Sequence, residues 1–272
     1  MTEILRYTAF TESPEGGNPA GVVLDASGLD DASMQRIAAD VGYSETAFVT
    51  GADGDALDIR YFSPLAEVPF CGHATIATGV AWGERHGPGT LRLTTRGGLV
   101  ELDVADGTAA LVSVEPRVEP LEDLEELLAS LGWTEDDLDK AFPPRVAYAG
   151  VFHPVLATSS DRLSALDYEF ERLGALMAAR DWTTVQLVTR EGSHAFRSRN
   201  PFPPGGMVED PATGAAAAAF GGYLRELGLI DVPATVTIRQ GIELGRPSLL
   251  HVHIAERGGI RVSGAAVEMR DT

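Results

Sequence analysis

Four short segments hold the side chains that could do chemistry. In "EVPFCGHATIATGVAW" (67–82) the single cysteine of the chain, Cys71, stands two residues before His73, with Gly72 between them. In "GYSETAFV" an acid, Glu45, sits between Ser44 and Thr46 at the head of an apolar run. "VEDPATGAAAA" carries Glu209 and Asp210 just ahead of Thr213 and Gly214, and "GGNPAG" sets Asn18 in a glycine-rich turn. A thiol near an imidazole first suggests a metal pair. Such a pair needs further ligands at useful spacing, and the sequence supplies none; His251 and His253 share one face of a strand-like run that nothing links to Cys71. No metal is therefore expected. A protease-type dyad is also a poor fit, because its thiol and imidazole come from distant segments. The plain alternative is a small buried thiol ahead of a helix, where the helix N-terminus favours thiolate and keeps a reactive role open. Taken singly, Glu45 also reads as a solvated strand end, and Asp210 as a cap or turn residue.

The elements that must position these groups follow from periodicity and punctuation. "EILRYTAF" and "AGVVLDA" read as strands. "LDDASMQRIAADVG" reads as a helix: its acids are N-terminal, Met34, Ile37, Ala38 and Val41 share a face, and Gly42 ends it. "SETAFVTG" and "ALDIRYFSP" form a strand pair around the turn "GADGD". A helix from about His73 to His86 follows, then three alternating strands to Pro116. After Pro116–Pro120 come an acidic amphipathic helix (121–132), a strand-like stretch (145–160), a helix over 163–181, strands over 183–202, a helix beginning at "TGAAAAAFGGYLRELGL", and a last run of strands. The two halves echo each other. Each has a polar, proline-bearing loop with an acid, then a glycine, then a helix of tiny residues, then strands. A helix with Ala and Gly on nearly every face suits close wrapping by a curved sheet. Both Gly72–His73 and Thr213–Gly214 fall at helix starts, where N–H groups lacking intrahelical acceptors bind carboxylate or phosphate without Lys or Arg.

Composition narrows the function. The 272 residues carry a formal net charge of −19, with 44% hydrophobic and 22% charged residues. That balance suits a globular protein with a well-solvated surface and argues against nucleic acid or an anionic membrane surface as partner. Lys140 is the sole lysine and lies in the acidic run "WTEDDLDK", so Schiff-base chemistry, and with it a pyridoxal cofactor, is not expected. One cysteine cannot form an internal disulfide, and the sequence offers neither a secretory leader nor a long apolar span, so a cytoplasmic protein is expected.

Read in order, "GNPAGVV", "SETAFV", "RYFSPLAEVPFCGHAT", "EDPATG" and "QGIELGRPS" span almost the whole chain. Together they resemble the PhzF-like isomerase family of phenazine biosynthesis, which shares the diaminopimelate epimerase fold. The resemblance implies an α+β protein of two pseudo-symmetric halves, each a curved, mostly antiparallel sheet or barrel around a central helix. It implies residues 1–115 in the first half, with 260–272 returning to it, residues 116–259 in the second, and an active site in the cleft between them. It also implies no cofactor and a homodimer. By that resemblance Glu45 is the general acid/base, Gly72 and His73 are the "GH" substrate contacts, and Asp210 is the second acid. Asn18, Ser44, Cys71, Thr213 and Gly214 complete the expected substrate-binding set. The chain departs from the pattern in three places. Cys71 stands where the phenazine enzyme has alanine and the epimerases have one of their two catalytic cysteines, Ala74 replaces a frequent proline, and Ala215 stands where a serine often follows.

The chemistry these residues suit is proton transfer on a small carboxylate. A carboxyl group partly withdrawn from water can take up and return a proton near neutral pH. Helix N-termini and His73 would hold the anionic group and stabilise developing charge. Two alternatives stand beside an isomerase: a racemase or epimerase using Cys71 with Glu45 or Asp210, and a metabolite-binding homologue without chemistry.

Overall fold

The computed structural model describes residues 2–269. These divide into two compact units: the residues up to Val112 together with those from Ser263 onward, and Ser113–Val262. In the first unit, strands β1 (Leu5–Ala9), β2 (Asn18–Val23), β3 (Glu45–Asp53), β4 (Ala56–Phe62), β5 (Glu67–Val68), β6 (Gly89–Thr95), β7 (Gly98–Ala105) and β8 (Thr108–Val112) are joined by α1 (Asp31–Val41) and α2 (Gly72–His86). The last strand of the chain, Arg261–Glu268, pairs antiparallel with β1, with Tyr7 opposite Glu268. Among the described residues, β1, β2, β3, β4, β6, β7, β8 and that last strand thereby close an eight-stranded barrel. Among the described residues, β2 pairs with β3 and β4 with β6 in parallel. Each of these needs a crossover, which α1 and α2 provide.

Strand alternation sorts the barrel into an outside and an inside. Phe48 and Phe62 face out and form a cluster with Met34 and Ala38 of α1. Asp30 caps that helix by accepting from the Ser33 N–H at 2.8 Å, and Gly42 ends it in the left-handed region at φ 72°. Ala47, Val49, Ile59 and Tyr61 therefore face inward, toward α2. The Tyr61 hydroxyl meets Thr75 Oγ1 of that helix at 2.6 Å. Every residue of α2 from His73 to Trp82 is buried, so the helix fills the barrel. Its small residues are what permit this. A Cβ on Gly79 would stand 2.4 Å from Leu102 Cδ2, and one on Gly83 2.5 Å from Val104 Cγ1. Thr75 and Thr78 return their hydroxyls to the carbonyls of Cys71 and Ala74, so neither brings an unsatisfied polar atom into the core.

The second unit contains β9 (Arg117–Pro120), α3 (Leu124–Leu131), β10 (Arg145–Tyr148), β11 (Phe152–Ala157), α4 (Ser160–Ser164), α5 (Phe170–Ala179), β12 (Gln186–Gly192), β13 (Ala195–Arg199), β14 (Pro201–Phe202), β15 (Met207–Glu209), α6 (Gly214–Glu226), β16 (Ala234–Gln240) and β17 (Ser248–Ile254). Its sheet runs β9, β10, β11, β12, β13, β16, β17, and β14 pairs with β15 apart from it. Val146, Leu156 and Leu187 form one core with Leu127, Leu131, Leu173 and Met177 of α3 and α5. Their chain neighbours Ala147, Val155 and Val188 are equally buried and must face the other side of the sheet, where α6 lies against β10, β11 and β17. That helix is buried from Ala216 to Leu224.

Three local readings change. The helix expected over 163–181 is two helices, because Glu169 N–H bonds to Ser130 O at 2.9 Å and draws the chain away between α4 and α5. The stretch 145–160 is a hairpin of two strands, turning at Gly150 with φ 114°. Residues 117–120, given no element in the sequence reading, form β9 against β10. Among the described residues, no helix is long and apolar enough to cross a membrane.

Two predictions follow from this packing. A Cβ on Gly222 would stand 2.4 Å from Pro116 Cβ and 2.7 Å from its Cγ, in a ring that cannot rotate away. Overpacking costs about 1–3 kcal/mol, and the helix propensity of alanine returns only about 1 kcal/mol. Gly222→Ala should therefore lower the urea midpoint, whereas Gly89→Ala, whose added methyl group meets nothing within 4 Å, should leave it unchanged. The second concerns His153, fully buried on β11 with its pKa pushed down to about 4 by burial, against a smaller opposing effect of the Thr184 carbonyl. Between its unfolded pKa of about 6.5 and about 4, the unfolded chain takes up the proton and the folded chain does not. The contribution is fully present above pH 6.5 and is lost as pH falls, by roughly 3 kcal/mol in all. Urea titrations from pH 7 to pH 4 should show that slope, and His153→Asn should flatten it.

Candidate active site

β3 begins at Glu45, and alternation puts this residue on the same inward face as Ala47 and Val49, at the rim of the barrel. Ala20 of β2 lies beside it in parallel register, and Asn18, fully buried at the first position of β2, shares the face of Ala20. The N-terminus of α2 reaches the same rim. Cys71 is its N-cap in extended conformation, and the cap makes no side-chain hydrogen bond to the helix, so the thiol turns elsewhere. Cys71 Sγ lies 3.4 Å from Glu45 Oε2, to which it donates, and 3.3 Å from His73 Nδ1. His73 Nε2 lies 3.5 Å from Glu45 Oε2 and 3.3 Å from Ser44 Oγ. Cys71 and His73 are buried, whereas the Glu45 side chain keeps 18% of its surface exposed. The first N–H groups of α2, from Gly72 onward, are those that helix geometry leaves without intrahelical acceptors.

Six of the residues singled out in the sequence, Asn18, Ser44, Glu45, Cys71, Gly72 and His73, thus belong to one rim of the first unit. Asp210, Thr213 and Gly214 belong to the second unit, at the start of α6. There Thr213 Oγ1 donates to Asp210 Oδ2 at 2.6 Å, and both residues are buried. The cap is held by a residue that sequence reasoning gave no role. Gln240 accepts from Thr213 N–H at 3.1 Å and donates to Asp210 O at 2.7 Å and to Thr213 Oγ1 at 3.0 Å. The next residue must be glycine. Gly241 has φ 73°, and a Cβ there would stand 2.4 Å from Arg246 O and 2.7 Å from Pro211 O. This close approach is the physical content of the "QG" in "QGIELGRPS", a pair that was visible but whose target was not.

The acids of "EDPATG" have different partners. Glu209 is bound by the Arg199 guanidinium in a buried fork, with Nε at 3.0 Å from Oε2 and Nη2 on Oε1. Arg199 Nη1 also donates to Leu163 O at 3.0 Å, which ties the loop to α4. Glu209 is therefore a brace, and Asp210 is the carboxylate turned toward the helix start. The first unit repeats the device, with Arg60 Nε and Nη2 on Glu67 at 2.8 and 2.6 Å, just ahead of Cys71. Neither fork was read from the sequence, where the arginine and its acid stand seven and ten residues apart.

Comparison with known proteins agrees with this architecture. The family described as "Phenazine biosynthesis-like protein" (PhzC-PhzF) matches residues 7–272. A protein of Pseudomonas fluorescens named trans-2,3-dihydro-3-hydroxyanthranilate isomerase is 35% identical over 271 residues, covering 95% of this chain and 94% of its own. The Bacillus subtilis protein named uncharacterized isomerase YfhB is 30% identical over 97% of this chain and 96% of its own. Among solved structures, a Bacillus anthracis phenazine biosynthesis protein of the PhzF family has a TM-score of 0.87 at 26% identity, with 98% of each chain covered. A probable proline racemase of Agrobacterium radiobacter K84, at 14% identity and a TM-score of 0.64 over 98% of this chain and 91% of its own, shares the fold alone. The chain belongs to the PhzF-like family of isomerases.

Proposed function

We propose that the chain is a cofactor-independent isomerase that moves a proton on a small carboxylate, with Glu45 as the acid/base. The observation that carries this reading is the placement of Glu45: a carboxyl group on the inward face of the barrel rim, in contact with Cys71 and His73 and beside the N-terminus of a buried helix. The Glu45 carboxylate removes a proton from a carbon next to an unsaturated bond. The electron pair shifts along that bond, and the protonated Glu45 returns the proton at the far end. His73 and the first N–H groups of α2 hold the substrate's anionic group and offset the charge that builds up. Asn18, Ser44, Cys71 and Gly72 are proposed substrate contacts of the first unit. Asp210, Thr213 and Gly214 are proposed functional residues of the second, on the strength of the signature they form. The name of the Pseudomonas fluorescens relative makes a cyclic amino carboxylate the first substrate to try. A cytoplasmic homodimer is part of the same proposal, supported by the single cysteine, the acidic balance and the family.

A second reading has its own observation. The Cys71 thiol lies within 3.4 Å of Glu45 and 3.3 Å of His73, which is within reach of a proton relay in a racemase or epimerase. The two readings part on products and on one variant. In deuterated water an isomerase shifts a double bond and places deuterium at the new carbon, whereas an epimerase inverts a centre and labels it. Turnover of trans-2,3-dihydro-3-hydroxyanthranilate and a panel of cyclic and amino carboxylates, followed by mass spectrometry and NMR, should give a shifted double bond carrying deuterium. Glu45→Gln should cut kcat by about 10²–10⁴-fold while substrate binding persists, the pattern of a lost proton-transfer step. Cys71→Ala should retain turnover. Loss of turnover in Cys71→Ala together with inversion in the wild type would transfer the chemistry to the thiol.

A further inference from the structure

We infer that the Glu45–Cys71–His73 cluster also takes up a zinc-like divalent cation, and that the bound cation silences the site. The argument begins with spacing. Cys71 Sγ is 3.4 Å from Glu45 Oε2 and 3.9 Å from His73 Nε2, and Nε2 is 3.5 Å from Oε2. Zinc bonds of about 2.3 Å to sulfur, 2.0–2.1 Å to nitrogen and 2.0–2.2 Å to oxygen, at tetrahedral angles, put the ligand atoms about 3.3–3.6 Å apart. The three separations differ from that by about a few tenths of an ångström, and all three ligand atoms lie within 4.8 Å of one another; because the sulfur stands nearer Nδ1, at 3.3 Å, than Nε2, the imidazole must turn to aim a ring nitrogen at the shared centre. Sequence spacing alone gave two ligands; the third comes from β3, 26 residues before the cysteine.

The donor chemistry selects the cation. Thiolate, imidazole and carboxylate together suit zinc and its neighbours, whereas calcium and magnesium require six or more oxygens. Three protein ligands leave a fourth position for water. Two ligands are buried and the third is partly exposed, so the cluster is shielded and still opens to solvent. A net charge of −19 raises the local concentration of cations. The exchange is simple in balance. The Cys71 S–H bond breaks, the sulfur–metal bond forms, and the proton passes to solvent, with no change of oxidation state. Once Glu45 Oε2 is a ligand it no longer accepts a proton from substrate. That silencing rests on the proton-transfer reading given above, whereas the binding does not.

The test uses cobalt(II) alone on the purified full chain, because a thiolate–cobalt bond produces a near-ultraviolet charge-transfer band and tetrahedral cobalt produces strong visible bands. The expected result is saturation at about one cobalt per chain, loss of the bands on adding zinc, and proton release in weakly buffered solution. Cys71→Ser should lose the charge-transfer band. Glu45→Gln and His73→Ala should each weaken cobalt by at least the ~10–100-fold that loss of an outer-sphere partner costs. His253→Ala, on a strand of the other unit, should bind as the wild type does. Circular dichroism of each variant separates ligand loss from unfolding, and the wild-type band decides the matter if a variant does not fold. Absence of that band, or the same band in Cys71→Ser, overturns the site. A bound cation that leaves deuterium exchange unchanged overturns the silencing, and if no substrate turns over, the cobalt titration still decides the binding.

Discussion

The structure depends on one close approach, a helix held inside a closed sheet. A helix with ordinary side chains is too wide for an eight-stranded barrel, whose interior is just filled by side chains. α2 fits because Gly79 and Gly83 present bare backbone to Leu102 and Val104. In the second unit Gly221 and Gly222 do the same toward Val252, Ile260 and Pro116. Burial on every side forbids charge along the helix, and its hydroxyl groups must be satisfied locally, as those of Thr75 and Thr78 are. The place where such a helix can meet an ionisable group is its end. Packing a helix this tightly therefore also fixes where chemistry can occur: at the rim, beside the first turn.

Each unit solves this problem with the same parts. The pairings β1–β2, β2–β3, β3–β4, β4–β6 and β6–β7 run antiparallel, parallel, antiparallel, parallel, antiparallel. The pairings β10–β11, β11–β12, β12–β13, β13–β16 and β16–β17 repeat that succession. Equivalent positions then follow from register. Glu45 opens β3 two residues after the level of Asn18-Pro19, and Gln186 opens β12 at the same offset from His153-Pro154. Glu67 and Glu209 are both held by arginine forks, Cys71 corresponds to Thr213, and Asp210 takes the place of Val68. The repeat is structural and the chemistry is not. At the level where the first unit carries an ionisable acid, the second carries an amide, Gln186, already bound by Asn200 Nδ2 at 2.6 Å. Ionisable character moves instead to Asp210, one step closer to the helix.

Much of this was legible in the sequence because it is local. The tiny-residue helices, the N-terminal acids of α1 and its stop at Gly42, the alternating strands and the two loop–glycine–helix echoes each depend on neighbours a few residues away. The family resemblance carried by the signature segments implied the sheet-around-helix fold. What was hidden depends on long-range contact. The break between α4 and α5 is imposed by a carbonyl of α3, Ser130 O, about forty residues upstream. The clamp of Gln240 on the start of α6 joins residues 27 apart. The contact of Cys71 with Glu45 requires β3 and the start of α2 to reach one rim, which no spacing of Cys, Gly and His reveals.

That last contact also bears on why a cysteine stands where the related phenazine enzyme is expected to carry alanine. Alanine would leave the acid and the imidazole facing each other directly, as they already do at 3.5 Å. The thiol adds a weak donor to one and a soft neighbour to the other, with little change in volume, since it behaves as a small hydrophobe in a buried site. Its effect is to turn a two-group contact into a triangle. In a triangle, each of the three groups is in contact with the other two. On the readings proposed above, proton transfer and cation binding would draw on one cluster, because hydrogen-bonded donors and tetrahedral ligands stand at nearly equal distances from one another. Under the two proposals made above, activity at the site and its sensitivity to soft cations would both follow from one arrangement of three side chains.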